Sequence, residues 1–281
     1  MAEVLRPPPD KENNMAVIKM NFLSDALRMQ TNVTICLPSK SFADRMSGRD
    51  EVYVQGMKYQ VLWLLHGGTG DDSDYVNFSN IVRYADNNKI AVVMPADFNA
   101  SYTDDPNGAK YYTFVTEELP KVLRAFFPFS DKREDNFVAG LSMGAMGTMK
   151  CALGHPEMYV AALCMSGGFR GPKANNGIPH SPNPPFGAPL EGVNDTWVLA
   201  EEQKKKGLDM PVFYMTAGEA DEGAYPDYLT SVEHLKELGY EVYNRSLPGY
   251  KHEWDFWDLT LRYALDEWLP IRHSAIYPDE A

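Results

Sequence analysis

Phe137-Val138-Ala139-Gly140-Leu141-Ser142-Met143-Gly144 joins a short apolar run to a helix-compatible one that begins near Ala145. A strand, a sharp turn and a helix are the setting of a nucleophile elbow. The flanking glycines let backbones approach more closely than side chains allow, and the serine is held in a strained conformation. Ser142 is therefore expected to project its hydroxyl above a sheet.

A serine hydroxyl is a weak nucleophile at neutral pH, so the elbow calls for a histidine base and an acid to orient it later in the chain. His252 lies in Leu247-Pro248-Gly249-Tyr250-Lys251-His252-Glu253-Trp254, a turn between a β-like run, Glu241 to Ser246, and a helix-like run from Trp254. Asp221 lies in Ala217-Gly218-Glu219-Ala220-Asp221, just after the apolar run Val212-Phe213-Tyr214-Met215. The order Ser, Asp, His is that of an α/β-hydrolase triad. Glu219, Glu222 and Asp255 compete for the acid, with adjacent Glu222 the strongest rival. Asp221 is preferred because a short carboxylate suits a position directly after the Gly218 turn. Asp255 reads as a favourable charge in the first turn of a helix.

Acyl transfer also needs donors aimed at an oxyanion. One is the amide of Met143, directly after the serine, at the positive end of the helix it opens. The other is expected from His66-Gly67-Gly68-Thr69-Gly70, after the strand-like Val61-Leu62-Trp63-Leu64-Leu65. Gly67 and Gly68 are expected to let that backbone turn its amides inward; Gly68 is the first choice and Gly67 the alternative. His66 is read as a support of this loop through hydrogen bonds, and the loop lacks the lysine and Ser/Thr spacing of a phosphate-binding P-loop.

These pieces carry a resemblance. Leu64-Leu65-His66-Gly67-Gly68, Glu117-Glu118-Leu119-Pro120, Arg133-Glu134-Asp135, the elbow, Ser166-Gly167, Asn194-Asp195, Gly218-Glu219-Ala220-Asp221 and Gly249-Tyr250-Lys251-His252-Glu253-Trp254 together resemble the "Putative esterase" family of α/β-hydrolases. That group contains tributyrin esterases, carbohydrate acetyl and feruloyl esterases, and S-formylglutathione hydrolases. The resemblance runs from about Met15 to the region of Leu269 and is nearest to the tributyrin esterase branch. It places Ser142, Asp221 and His252 on the family's nucleophile, acid and base. One departure is Ala145-Met146, where many relatives carry a further glycine, a change expected to reshape the helix start slightly.

At 281 residues with 44% hydrophobic residues the chain can bury a sizeable core, and it reads as a single domain over 15–281 after a flexible tail, 1–14. Met15 is a candidate physiological start. A formal charge of −13 disfavours nucleic-acid and anionic-membrane partners. It leaves a small-molecule ester as the expected partner and permits a homo-oligomer. Cys36, Cys151 and Cys164 lie in or beside apolar runs and read as buried thiols of a reducing compartment. Residues 1–14 are too poor in apolar residues for a secretory signal, and no run approaches transmembrane length. Cytoplasmic residence is the expectation. His155, His180, His234 and His273 have no ligand spacing and no dinucleotide fingerprint occurs, so neither metal nor cofactor is expected.

Two early strands, Val17 to Phe22 and Asn32 to Leu37, are predicted to pair antiparallel. Val61 to Leu65, Ile90 to Met94, Asn136 to Ala139, Ala161 to Met165, Val212 to Thr216 and Glu241 to Ser246 alternate with helical patterns, which implies an α/β architecture with a mostly parallel sheet covered by helices on both faces. Pro120 inside the pattern Tyr112 to Phe127 should kink that helix or mark its true start. Two long loops interrupt the rhythm. The 167–194 segment, an insertion near the active site, offers Phe169, Phe186 and His180 as pocket walls or is a surface excursion. Ala96 to Lys110 carries Tyr102 as a second wall. Trp254, Phe256 and Trp257 either stack on a ring or pack a helix. Met143, Met146, Met149 and Met165 read as core around the elbow.

The expected activity is a serine carboxylic-ester hydrolase that uses no cofactor. The resemblance implies short acyl groups, acetyl esters including acetylated carbohydrate ahead of feruloyl esters. A thioesterase like S-formylglutathione hydrolase would use the same triad, and an inactive binding module is the reading outside enzymes.

Overall fold

Alternate residues of one short strand, β3 (Val61–Leu65), feed two different cores. Val61, Trp63 and Leu65 pack into one buried cluster, Leu62 and Leu64 into the other. A strand that buries side chains on both faces needs cover on both, which is why the central runs of the sequence are continuously apolar. A computed structural model describes residues 15–40, 46, 53–171 and 190–278. The 1–14 tail, His180 and Phe186 lie outside the described residues.

Eight strands form one sheet: β1 (Met15–Ser24), β2 (Met29–Pro38), β3, β4 (Ala91–Pro95), β5 (Asn136–Leu141), β6 (Ala161–Met165), β7 (Val212–Gly218) and β8 (Val242–Leu247), in the order β1-β2-β4-β3-β5-β6-β7-β8. The first two strands pair antiparallel, with Met15 opposite Pro38, and β2 is antiparallel to β4. Every later pairing is parallel. Strands β3 to β8 therefore end at one edge of the sheet, where open α/β sheets form their ligand sites. This is the α/β-hydrolase fold, with the antiparallel edge and the parallel body that the apolar runs imply.

The main helices are α1 (Ile81–Asn88), α2 (Leu119–Phe126), α3 (Met143–Gly154), α4 (Thr196–Lys205), α5 (Ala224–Glu237) and α6 (Trp254–Tyr263). Pro120 does not mark the helix start: helical backbone runs unbroken from Tyr111 to Phe126, as Tyr111–Thr113, a π-helical stretch, Phe114–Glu118, and then α2. The distortion expected of this proline takes the form of that π-helical stretch directly before it, which accommodates the missing N–H. Beside it, the Glu118 carboxylate accepts the N–H groups of Asp25 (2.7 Å) and Ala26 (3.1 Å), tying the β1–β2 turn to the helical layer.

The three cysteines are buried and unpaired. Burial alone pushes the Cys36 thiol up to about 12; Cys151 is also pushed up to about 12 and Cys164 is raised further. No helix of the described residues is long and apolar enough to cross a membrane.

Candidate active site

Ser142 sits between β5 and α3 with φ 53° and ψ −116°, a left-handed conformation that an L-residue keeps only where its surroundings enforce it. Those surroundings explain the glycines. A β-carbon on Gly140 would fall on the backbone of Gly144, and one on Gly144 would fall on the carbonyl of Leu65. The elbow is thus pressed against β3 as well as folded on itself. The Ser142 amide donates to the Met165 carbonyl (2.8 Å), so β6 fixes its other side. Ala145 does not displace the helix start, which remains at Met143. Its methyl instead takes the space beside Gly167, where a β-carbon would lie 2.7 Å away.

The acid and histidine loops are laced together at the ends of β7 and β8. Gly218 lies against the carbonyl of Tyr250 with no room for a side chain. Next to it, the amide of Glu219 donates to Leu247 (2.9 Å) and that of Ala220 to Tyr250 (2.9 Å). The outcome is His252 Nδ1 at 2.6 Å from Asp221 Oδ2. Asp221 is 5% exposed, and its other oxygen accepts the Ala224 N–H (2.9 Å) at the start of α5, which fixes the carboxylate. The rivals lie elsewhere: Glu222 is exposed, Glu219 accepts from the Ser246 hydroxyl (2.8 Å), and Asp255 stands in the first turn of α6.

Trp257 meets the His252 ring edge-on, with centroids 4.9 Å apart, and its indole N–H donates to Ser166 Oγ (3.0 Å) at the end of β6. The aromatics of α6 follow the packing expectation: Phe256 and Trp257 are buried, Trp257 meets His252 edge-on without stacking on it, and Trp254 packs on Tyr75 and Phe78. Ser142, Asp221 and His252 line one cleft of about 520 Å³. Among the described residues no hydrogen bond joins Ser142 to His252, a separation that substrate-free sites often have.

Gly68 and Met143 line the same cleft. Neither Gly67 nor Gly68 adopts a left-handed φ, so conformational freedom is not what glycine supplies here. At Gly67 it supplies room, since a β-carbon would lie 2.5 Å from Leu141 Cδ1 and 3.6 Å from Ser142 Cβ; at Gly68 a β-carbon meets nothing within 4 Å and would project into open space. Met143 is the first residue of α3, and the opening amides of a helix have no carbonyl of that helix to bond. His66 is buried, with Nδ1 2.7 Å from the Gly67 carbonyl and Nε2 accepting the Asp97 N–H (2.8 Å). The second bond makes Nε2 the acceptor and leaves the proton on Nδ1, the support role expected of it. The tyrosine hydroxyls of Tyr75 and Tyr102 cap the carbonyls of Leu65 (2.8 Å) and His66 (3.0 Å).

Tyr102 is therefore not a pocket wall. It is fully buried beneath the glycine loop, against Gly147, because its ring fills the space that glycine opens in α3. Its neighbour Ser101 lines the cleft instead. The methionine set is core as expected, with Met143, Met149 and Met165 buried and Met146 packed against the core, and Met143 and Met146 also reach the cleft. Of the 167–194 segment, Phe169 and Arg170 form part of the wall, Phe169 packing on Trp197 and His234. Asp97 and Arg170 carried no signal in the sequence, since only the fold brings them to the strand ends, and Trp257 is legible there only as one of three aromatics near His252. Among the described residues, no group of three His, Cys, Asp or Glu side chains is placed to hold a metal ion.

Sheet order, elbow and cleft define a serine hydrolase of the α/β-hydrolase class. The chain belongs to the family described as "Putative esterase", whose pattern matches residues 24–268. It is 26% identical over 268 residues to an acetyl esterase of Caldicellulosiruptor saccharolyticus, covering 91% of this chain and 98% of that one. Its fold superposes on fluorophosphonate-binding serine hydrolase F (FphF) of Staphylococcus aureus, solved with substrate bound, with TM-score 0.78, 26% identity and coverage of 91% and 98%. The S-formylglutathione hydrolase FrmB of the same organism gives TM-score 0.76, 25% identity and coverage of 91% and 99%. The chain is a carboxylic-ester hydrolase.

Proposed function

We propose that Ser142 is the nucleophile of this esterase, His252 its general base and Asp221 the acid that orients the base, acting on short-chain acyl esters with acetyl foremost. The observation that carries this reading is the 2.6 Å contact between His252 Nδ1 and the buried Asp221, in the cleft that also holds the strained Ser142. Asp221 fixes the Nδ1–H tautomer and leaves Nε2 free of its proton. His252 takes the Ser142 proton as the hydroxyl attacks the ester carbonyl, then delivers it to the departing alcohol. The Met143 and Gly68 amides hold the oxyanion, Gly68 being favoured over Gly67 because it lines the cleft. Water repeats the sequence on the acyl-enzyme.

The acetyl preference is supported by the acetyl esterase relative, and acetylated carbohydrate is the natural form to try first. A second reading, thioester hydrolysis by the same residues, is supported by the likeness to the S-formylglutathione hydrolase. Cytoplasmic residence is supported by three buried, unpaired thiols, and the absence of nucleic-acid partners by the net charge of −13.

The test is hydrolysis of para-nitrophenyl esters from acetyl to octanoyl, methyl ferulate and a glutathione thioester by wild type and Ser142→Ala. Activity falling with chain length and lost in the variant is the expected result. A stronger thioester or ferulate rate would reassign the substrate, and equal activity in the two proteins would remove Ser142 from the reaction.

A further inference from the structure

We propose that Arg170 makes this cleft selective for esters that carry a carboxylate away from the scissile bond. The inference rests on the serine-esterase reading above and names its substrate class.

Arg170 is held in place by its backbone. Its N–H donates to Thr196 Oγ1 (2.8 Å) and its carbonyl accepts the Trp197 N–H (3.2 Å), so the residue is fastened to the start of α4. From that anchor it lines the cleft that contains Ser142, Met146 and His252. Among the described residues its guanidinium makes no hydrogen bond and no ion pair, although five N–H donors are available. Asp195, whose carboxylate lies against the neighbouring Gly171, is committed to capping α4 through the Val198 N–H (3.1 Å). Asp227 also lines the cleft but is engaged by another group.

Charge follows the same pattern. Burial alone lowers the pKa of Arg170, with no carboxylate among the described residues offsetting it. Its charge adds to the burial that brings Lys150, on the adjoining α3, down to about 7. Lys150 in turn donates to the carbonyl of Ser101 (2.9 Å), another residue of the wall. A half-buried cation with unfilled donors is costly to keep, and a planar carboxylate is the group that fills a guanidinium fork with two parallel bonds. An acetyl ester of a neutral alcohol makes no use of it.

Two matched pairs test the idea and tell the acyl side from the alcohol side: para-acetoxybenzoate against para-acetoxybenzamide, and monoethyl adipate against ethyl hexanoate. In the full-length protein, kcat/KM for the anionic member of one pair is expected to exceed that of its neutral partner by about tenfold or more, mostly through KM. Arg170→Gln should reduce that ratio about tenfold, and Arg170→Lys should restore part of it. A wild-type ratio at or below one in both pairs would overturn the proposal, and needs no variant to fold. So would a ratio that Arg170→Gln leaves unmoved. Neutral-ester hydrolysis that disappears in Ser142→Ala while no carboxylate preference exists would refute only the role of Arg170; hydrolysis that survives that substitution would refute the reading beneath it.

Discussion

Gly218 stands so close to the carbonyl of Tyr250 that a β-carbon would overlap it, and this contact sets the distance between the Asp221 and His252 loops. The two amide bonds beside it, from Glu219 and Ala220, require the same approach. Gly218→Ala should therefore separate acid from base without altering either. A misplacement of about 1 Å costs on the order of a hundredfold in rate, so kcat/KM for para-nitrophenyl acetate is expected to fall by about that factor. A variant with wild-type kinetics would mean the loops hold their register by other contacts.

Asp221→Asn keeps the shape of the acid but offers His252 the wrong partner. A loss of about 10³–10⁴ in kcat is expected, by analogy with other triads. Glu222→Gln should stay within about twofold of wild type, because Glu222 is exposed and outside the contact. Steady-state kinetics on the two variants together decide between the neighbouring carboxylates; the reverse pattern would transfer the acid to Glu222.

Adjacent glycines of one loop should respond differently to the same change. Gly67→Ala forces Leu141 aside next to Ser142, and a loss of about 1–2 kcal/mol is expected from crowding a packed position. Gly68→Ala meets open space, and its stability should lie within about 0.5 kcal/mol of wild type. Urea unfolding of the two variants checks this; equal losses would show that the loop packs otherwise.

Asp97 is buried with Oδ2 unpartnered among the described residues, and burial pushes its carboxyl from an ordinary 3.8 up to about 6. A raised native value means that the folded chain keeps a proton the unfolded chain has lost. Its contribution to stability therefore declines as pH rises from about 4 to about 6, by on the order of 3 kcal/mol. Asp97→Asn keeps an acceptor for the Tyr102 N–H and cannot ionise. The wild-type stability measured relative to this variant should fall by that amount between pH 3.5 and pH 7 in denaturant titrations. A flat difference would show that the carboxylate is solvated when charged.

Much of this was legible in the chain because the signals are local. Strands buried on both faces must be apolar throughout, so β3 to β7 stand out as runs; β8 is more exposed and stood out only by its place between turns. The Gly-x-Ser-x-Gly spacing, the order Ser, Asp, His and the turn glycines before Asp221 and His252 reflect backbone geometry at single turns, which sequence records directly. The π-helical stretch before Pro120 left only the proline as a mark, since a single widened turn is too short to set a side-chain period of its own.

The sequence by itself determined the order of the elements, the elbow and the short list of acids and bases. Only the tertiary structure distinguishes Asp221 from its neighbours, by burying that carboxylate against His252 and leaving Glu222 in water. It also turned Tyr102 from a supposed wall into a brace beneath the glycine loop, brought Arg170 to the cleft from 28 residues beyond Ser142, and set Trp257 against His252 from 115 residues beyond it. The physical reason is the parallel sheet: it gathers strand ends that are distant in the chain, and which side chains meet there depends on close approaches that no local pattern encodes.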